Sequence, residues 1–179
     1  IQNIPVSAKY FFVVDMSNGY FQIRLAKQSQ HLTTTLFEGK RYQFNRCPQG
    51  LSSSGDYFNQ ITDNIFAGIE GIQKLVDDII RYSDTFEGLM IVFTNVLAAT
   101  ERANIAMSLP KVQCGLRVNF AGAVISKSGT SPDPHKVTAI SEMQRPENIA
   151  ELRTFIGMVN QFHKWNPDST HSTTLMRSL

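Results

Sequence analysis

The 179-residue sequence has few cysteines and few charged residues, and no long apolar run. Its two cysteines, Cys47 and Cys114, lie far apart and match no metal-binding spacing, which favours reduced thiols in an intracellular protein. No apolar run reaches the roughly 20 residues that span a membrane, and the N-terminus has no signal-peptide pattern. Internal repeats and low-complexity segments are absent. The 42% of hydrophobic residues instead predicts one globular unit with a real core.

The charge balance is also close to even. The formal net charge is only +2 and the sequence pI is about 8.6. This slight basic bias is much weaker than the basic footprint of a self-sufficient nucleic-acid-binding domain. If the chain binds nucleic acid, we therefore expect other parts of a larger protein to supply most of the phosphate contacts.

An adjacent pair of aspartates, Asp77 and Asp78, is the most informative feature of the sequence. Apolar residues flank the pair on both sides, namely Leu75, Val76, Ile79 and Ile80. This pattern predicts two buried strands joined by a tight turn, where two carboxylates repel each other and are costly to desolvate. A divalent cation such as Mg²⁺ removes this conflict, because it takes carboxylate oxygens and shares its coordination with substrate phosphates. The simpler alternative is a pair of solvated turn residues.

A third carboxylate has a matching position. The apolar segment 10–14 (YFFVV) is rich in strand-forming residues and stops at Asp15, which places this carboxylate at the edge of a sheet. Asp15 at a strand end and Asp77 and Asp78 at a hairpin turn could converge on two metal ions. Such a site activates an attacking hydroxyl and stabilises a departing pyrophosphate.

Six segments, taken in order, resemble the motifs of the reverse transcriptases of gypsy-type LTR retrotransposons. They are the first catalytic motif at 12–23 (FVVDMSNGYFQI), the nucleotide-pocket motif at 47–51 (CPQGL), the hairpin motif at 75–78 (LVDD), the primer grip at 120–126 (FAGAVIS), the stretch 129–140 and the helix start at 151–157 (ELRTFIG). The hairpin motif has Leu where the family more often has Tyr or Phe. The tail 167–179 also resembles invertebrate members of the group.

Strands and helices without strict alternation predict an α+β sheet with helices on one face. This agrees with the polymerase palm that the resemblance implies, an antiparallel sheet with helices packed on one face. Residues 1–132 would form the palm with partial fingers, and residues 133–179 would form a helical thumb-side segment. The implied function is RNA- and DNA-templated DNA synthesis by two-metal-ion nucleotidyl transfer, as the palm portion of a retrotransposon polyprotein. The implied location is intracellular, in the cytoplasm, in virus-like particles or in the nucleus.

The resemblance also implies which residues hold metal. Asp15 and Asp77 would be the main ligands of two Mg²⁺ ions, with Mn²⁺ as a substitute, and Asp78 would be the third carboxylate. The backbone carbonyl of Met16 would complete one coordination sphere. Hard oxygen ligands of this kind suit Mg²⁺.

Four further residues are implied to bind the deoxynucleoside triphosphate. Asn18 and Gly19 would present backbone N–H groups to the triphosphate, although a glycine after a strand is also simply a turn. Tyr20 would lie under the sugar and exclude a 2′-hydroxyl, and its alternative role is that of a core tyrosine. Gln49 would contact the incoming nucleotide, where many relatives have Phe or Met, or its amide would bond to the backbone.

The template and primer are implied to contact the C-terminal half. Ala121 and Gly122 would form the primer grip, where small residues let the backbone approach a primer phosphate, or would simply form a β-turn. Basic side chains that could contact the nucleic-acid backbone, or merely lie on solvated helix faces, are Lys136, Arg145, Arg153, His163 and Lys164.

The chain departs from the family pattern before Asp15. Family members carry a longer fingers segment with a basic pair there, whereas Lys9 is the only basic residue among residues 1–14. We expect either a fragment of a polyprotein, whose partners include the missing fingers, thumb and ribonuclease H parts, or a retroelement-derived binding or scaffolding module without catalysis. A homodimer is compatible with both. An unrelated two-metal nuclease is disfavoured, because Tyr20 and Gln49 have no role in hydrolysis.

The sequence patterns predict the following elements. Strands are expected at 10–14, 21–25, 111–114 and 119–125, and hairpins at 33–44 and 72–81. Helices are expected at 52–66, with serines 52–54 as its cap, and at 85–103, 134–143 and 149–163.

Overall fold

A four-stranded antiparallel sheet lies at the centre of the computed structural model, which describes residues 4–166. Its strands, in spatial order, are β4 (Gln73–Leu75), β5 (Asp78–Ser83), β1 (Tyr10–Asp15) and β6 (Gln113–Gly115). Strand β1 consists of aromatic and β-branched residues up to its last position, and it pairs along its whole length with β5. The register of this pair sets Asp15 directly opposite Asp78.

The part of the chain that the structure describes has two smaller sheets besides the central one. A two-stranded hairpin contains β2 (Thr35–Phe37) and β3 (Lys40–Tyr42). A three-stranded antiparallel sheet contains β7 (Arg117–Phe120), β8 (Ala123–Ser126) and β9 (Gly129–Pro132). The structure therefore confirms an α+β architecture built on antiparallel sheets.

Five α-helices complete the fold within residues 4–166. They are α1 (Lys27–Gln30), α2 (Ser54–Phe66), α3 (Phe86–Arg102), α4 (Pro134–Ser141) and α5 (Ile149–Asn160). Side-chain caps start the last three: the hydroxyl of Thr85 accepts from the Gly88 N–H, and Asp133 and Asn148 accept from N–H groups in the first turns of α4 and α5. None of these helices is long and apolar enough to cross a membrane.

Successive side chains of β1 point to opposite faces of the central sheet, so the hydrophobic core has one part on each face. Phe12, Val14 and the following Met16 are buried against α2 and α3. Phe11 and Val13 are buried on the opposite face against the β7–β9 sheet. Since Asp15 follows in the same alternation, its side chain lies on the face of Phe11 and Val13, where the two sheets meet.

Three of the predicted strands need correction. Residues 21–25 form no strand, because Gly19–Gln22 is a 3₁₀ helix and the N–H groups of Ile23 and Leu25 are not in a regular ladder with a neighbouring strand. The predicted strand 119–125 is two strands, since the chain reverses at Ala121 and Gly122. The strand predicted at 111–114 starts only at Gln113. Strand β9 has no strand-like sequence pattern, because Thr130 is its one strong strand former beside Gly, Ser and Pro, and pairing with the edge of β8 is what makes it a strand.

Smaller differences concern caps and burial. No serine side chain caps α2; the hydroxyl of Ser54 instead donates to the carbonyl of Pro48. Leu75 was expected in a buried strand but is 49% exposed, because β4 is the edge strand of its sheet. The remaining predicted helices and the two hairpins are confirmed with shifted bounds. The predicted thumb-side segment extends beyond residue 166, and that part lies outside the described residues.

Candidate active site

Three carboxylates meet at one edge of the central sheet. Asp15 is the last residue of β1, Asp78 is the first residue of β5, and Asp77 lies in the two-residue turn between β4 and β5. One ligand oxygen from each side chain can be chosen so that all three atoms lie within 4.8 Å of one another. The structure thus brings together the three aspartates that the sequence singled out.

Main-chain hydrogen bonds hold this edge of the sheet together. The N–H of Met16 donates to the carbonyl of Asp77 at 2.9 Å, which ties the end of β1 to the hairpin turn. The N–H of Ser108 donates to the carbonyl of Asp15 at 2.8 Å, and Met16 and Met107 form an isolated bridge. The carboxylates therefore project from a backbone that is fixed from two sides.

Lys111 lies against the most buried of the three carboxylates. Asp15 is only 8% exposed, whereas the lysine side chain is 65% exposed. The Nζ of Lys111 is 3.1 Å from both Oδ1 and Oδ2 of Asp15 and donates a hydrogen bond to Oδ2. This hydrogen bond and the charge of Asp15 raise the pKa of Lys111 above its ordinary value. Lys111 belongs to no motif that the sequence predicts for the site, and it reaches Asp15 from a position 96 residues further along the chain.

The second residue of the aspartate pair has a perturbed acidity. Burial raises the pKa of the Asp78 carboxyl above its ordinary value, and the negative charges of Asp77 and Asp15 raise it further. The positive charge of Lys111 lowers the pKa of Asp78, but the net shift is still upward. The site thus has more negative charge than its own lysine neutralises.

The donor set fits a divalent cation. All three side chains offer hard oxygen atoms, which Mg²⁺, Mn²⁺ and Ca²⁺ accept. Oδ1 of Asp15 is buried and accepts no hydrogen bond from the described residues, although the ammonium of Lys111 is near it. A buried carboxylate oxygen without a donor is costly unless a cation satisfies it.

A cavity of about 520 Å³ opens beside the carboxylates. It runs between the central sheet and the β7–β9 sheet, and its lining includes Asp15, Asp78, Lys111, Ala121, Gly122 and Asp133. The structure therefore places the predicted primer-grip turn and two of the aspartates on one cavity. Asn18, Gly19, Tyr20 and Gln49 do not line it.

The segment after Asp15 packs against α2. Asn18 adopts a left-handed backbone with φ 49° and starts the 3₁₀ helix. Gly19 is buried so closely against Phe58 that a Cβ atom there would lie 2.7 Å from the ring. The ring of Tyr20 meets the same phenylalanine edge to face, with 5.3 Å between centroids. Tyr20 is half-buried and held in place, which is compatible with both roles that the sequence left open.

Gln49 lies apart from this packing. Gln49 is exposed and lies between Pro48, which is buried, and Gly50, which has a left-handed backbone with φ 87°. No described hydrogen bond involves its side-chain amide, so the alternative role as a backbone-bonding amide gains no support within residues 4–166.

Gln22, which has no predicted role in the sequence, organises the loop after Asp15. Its amide nitrogen donates to the carbonyls of Ser17 and Ala106, and its carbonyl oxygen accepts from the Ala106 N–H at 2.6 Å. These bonds join two loops that are 84 residues apart, so no local pattern could have identified them.

Comparison with known proteins identifies the class to which this fold and site belong. The model of the family described as "Reverse transcriptase (RNA-dependent DNA polymerase)" matches residues 2–145. The chain therefore belongs to the reverse transcriptase family.

Individual relatives place the chain among retroelement polyproteins. It is 32% identical over 167 residues to the retrovirus-related Pol polyprotein from transposon opus of Drosophila melanogaster, and 31% identical over 166 residues to that from transposon gypsy of the same organism. Each match covers 90% of this chain and 16% of the polyprotein. The chain thus spans about a sixth of the length of these relatives.

A solved structure supports the fold. The foamy viral protease-reverse transcriptase in complex with an RNA/DNA hybrid aligns with a TM-score of 0.83 and 28% identity, covering 87% of this chain and 21% of that one. The same enzyme in complex with double-stranded DNA aligns with a TM-score of 0.80. The sheet and helices described above are therefore those of a reverse transcriptase.

Proposed function

We propose that the chain is the palm portion of a retrotransposon polyprotein and catalyses RNA- and DNA-templated DNA synthesis by two-metal-ion nucleotidyl transfer. The observation that carries this proposal is the cluster of Asp15, Asp77 and Asp78 at one sheet edge, in a chain of the reverse transcriptase family. A template with its primer and deoxynucleoside triphosphates are the proposed substrates.

The three carboxylates have distinct proposed roles. Asp15 and Asp77 would hold both ions, Asp78 would add the third carboxylate, and the carbonyl of Met16 would complete one coordination sphere. When bound, two Mg²⁺ ions, or Mn²⁺ in their place, supply the positive charge that favours an ionised primer 3′-hydroxyl and a departing pyrophosphate. The hydrogen bond from the Met16 N–H to the Asp77 carbonyl supports this assignment, since it couples the two motifs.

The segment after Asp15 would form the nucleotide pocket. Backbone groups of Asn18 and Gly19 would bind the triphosphate, and Gln49 would contact the incoming nucleotide. Tyr20 would exclude a 2′-hydroxyl, because its ring is braced by Phe58 and cannot move aside freely. We therefore propose a preference for deoxynucleotides.

The other end of the cavity would receive the primer. Ala121 and Gly122 form the tip of the β7–β8 hairpin and would act as the primer grip. Residues 1–132 would be the palm with partial fingers, and residues 133–179 the thumb-side segment. The fingers, thumb and ribonuclease H parts of the polyprotein are the proposed partners, and a homodimer is compatible with this arrangement.

Primer extension on an RNA template tests the catalytic assignment. The parent chain should incorporate deoxynucleotides in Mg²⁺ and in Mn²⁺, and Asp77→Asn should reduce incorporation below detection, because it removes a charged metal ligand. Asp56→Asn is a matched control, since Asp56 is exposed in the first turn of α2 and should leave incorporation unchanged. Incorporation that survives Asp77→Asn would contradict the metal-site assignment, and none by the parent would contradict activity of this chain alone.

A further inference from the structure

The ammonium of Lys136 occupies the space that a side chain at Gly122 would fill. A Cβ atom built on Gly122 would lie 2.7 Å from Nζ of Lys136 and 3.8 Å from its Cε. Gly122 has φ 75° and the preceding Ala121 has φ 51°, so both residues of this two-residue turn are left-handed. Glycine is favoured here by the backbone, and its missing side chain also lets the lysine reach the tip of the hairpin.

Nothing within the described fold neutralises this lysine. Lys136 lies in the first turn of α4, where the helix dipole already contributes positive charge and a cation is unfavourable. The ion pairs found within residues 4–166 involve Lys74 and Lys111, and none involves Lys136. The nearby Asp133 accepts from the His135 N–H as the helix cap. The described contacts therefore show no structural role for the charge of Lys136.

The turn that Lys136 covers opens on the cavity of the three carboxylates. Ala121, Gly122 and Asp133 line that cavity together with Asp15 and Asp78. Lys136 itself lies over Gly122 and does not line the cavity, and the lysine that does line it, Lys111, is already engaged by Asp15. The ammonium of Lys136 is thus placed to meet an anion at the tip of the β7–β8 hairpin, when that anion belongs to a chain whose end lies at the carboxylates.

We propose that Lys136 binds a backbone phosphate of the primer strand beside the Ala121–Gly122 turn. This inference rests on the proposed polymerase function and adds a side-chain contact to the backbone grip. A primer whose 3′ end lies at the carboxylates carries its phosphates along the cavity, and a lysine ammonium serves as a point charge for one of them. Contact with a phosphate carries no sequence information, so the effect should be the same for every primer sequence.

The salt dependence of duplex binding tests the proposal. The probe is a fluorescently labelled DNA primer annealed to an RNA template, and its affinity is measured by anisotropy over a range of salt concentrations without divalent ions. Each phosphate neutralised contributes about 0.9 to the slope of log K against log salt concentration. Lys136→Gln should lower the magnitude of the slope by about one such contribution, and Lys136→Arg should restore it, because the charge is kept.

Lys127→Gln is the matched control. Lys127 is exposed between β8 and β9, on the same small sheet, and its removal should leave the slope unchanged. An equal fall in the slope for Lys127→Gln would overturn the proposal, since it would show only a general loss of positive charge. An unchanged slope for Lys136→Gln, or a parent chain without salt-dependent binding, would overturn it as well. Thermal unfolding of each variant verifies that the fold is kept.

The same variants separate this inference from the polymerase assignment. If Asp77→Asn abolishes incorporation while Lys136→Gln leaves the slope unchanged, only the Lys136 contact is wrong. If incorporation survives Asp77→Asn while Lys136→Gln lowers the slope, the metal-site assignment is wrong and the phosphate contact stands.

Discussion

Asp15 combines burial with a charge that the fold only partly compensates. Its carboxylate is close to fully buried at the end of β1, and its nearest cation is carried by a long, exposed side chain. A mobile ammonium can leave such a site without a rearrangement of the backbone. At the residue scale, Lys111 is therefore the counter-ion of Asp15, and we expect it to compete with an incoming metal ion for this carboxylate.

Removal of this counter-ion should strengthen metal binding. We expect Lys111→Met to bind Mn²⁺ severalfold more tightly than the parent, because the ammonium no longer competes for Asp15 and no longer repels the ion. Titration with Mn²⁺ followed by electron paramagnetic resonance measures this affinity. Lys9→Met is the control, since Lys9 is exposed and forms no described ion pair. Equal or weaker Mn²⁺ binding by Lys111→Met would show that the lysine does not compete.

The raised pKa of Asp78 predicts a pH-dependent cost to stability. Because burial and the neighbouring carboxylates raise this pKa, the folded chain binds the proton more tightly than the unfolded chain. The contribution of Asp78 to stability is therefore most favourable at acidic pH, and it falls as the pH rises through the folded-state pKa.

Asp78→Asn should therefore stabilise the metal-free chain at neutral pH. The gain in unfolding free energy should shrink as the pH falls below the ordinary range of aspartate, where Asp78 is protonated in both states. Urea unfolding at several pH values measures it, with the exposed Glu70→Gln as the control. A gain of equal size at neutral and acidic pH would argue against an electrostatic origin.

At the element scale, the β4–β5 hairpin has a strained backbone next to the aspartate pair. Only Val76 and Asp77 lie between the paired residues Leu75 and Asp78, so the turn is as tight as a hairpin allows. Val76 has φ 55°, a left-handed conformation that is unfavourable for a β-branched residue. The strained residue directly precedes Asp77, whose carbonyl accepts a hydrogen bond from the Met16 N–H at the end of β1.

Relief of this strain should stabilise the fold. Val76→Asn should raise the free energy of unfolding by about 1 kcal/mol, because asparagine tolerates the left-handed region better than valine. Chemical unfolding measures the change. Leu75→Asn is the control at the adjacent, half-exposed position with an ordinary backbone, and it should give no gain. If Val76→Asn destabilises the chain, valine contributes packing that outweighs the strain.

At the scale of the whole molecule, four exposed apolar side chains lie on the β2–β3 hairpin and the turn before it. Leu32 is 71% exposed, Leu36 69%, Phe37 62% and Tyr42 48%. A two-stranded sheet of three-residue strands is only marginally stable alone, and exposed apolar side chains on such an element are typical of an interaction patch. The chain spans about a sixth of its polyprotein relatives, so further protein surface is available in them to cover it.

The isolated chain should self-associate through this patch. We expect the double variant Leu36→Ser and Phe37→Ser to shift the chain toward monomer, with little change in unfolding temperature, because both side chains contribute little to the core. Sedimentation velocity measures the association. Ile91→Ser, which removes an exposed apolar residue on α3, is the control and should not shift it. Persistent association of the double variant would place the contact elsewhere on the molecule.

The clustered carboxylates Asp15, Asp77 and Asp78 are largely predictable from the sequence. A run of strand-forming residues ends at Asp15, and the pair Asp77 and Asp78 lies between apolar neighbours. Both patterns place carboxylates beside buried strands, where neighbouring residues in the sequence cannot stabilise their charge. The α+β class and most helices follow from the same local patterns, because apolar periodicity and capping residues act over a few positions. Segment 21–25 shows the limit of such patterns: its residues favour a strand, yet the left-handed turn at Asn18 directs the chain into a 3₁₀ helix.

Tertiary structure alone decided the contacts that join distant parts of the chain. Lys111 reaches Asp15, Gln22 joins two loops, and Lys136 fills the space over Gly122, and each of these pairs lacks a local sequence signal. The cavity between the two sheets depends on how β7–β9 packs against the second face of β1. Local sequence determines which residues carry the chemistry, whereas long-range packing determines which charges meet, since that depends on distances between elements that no short segment encodes.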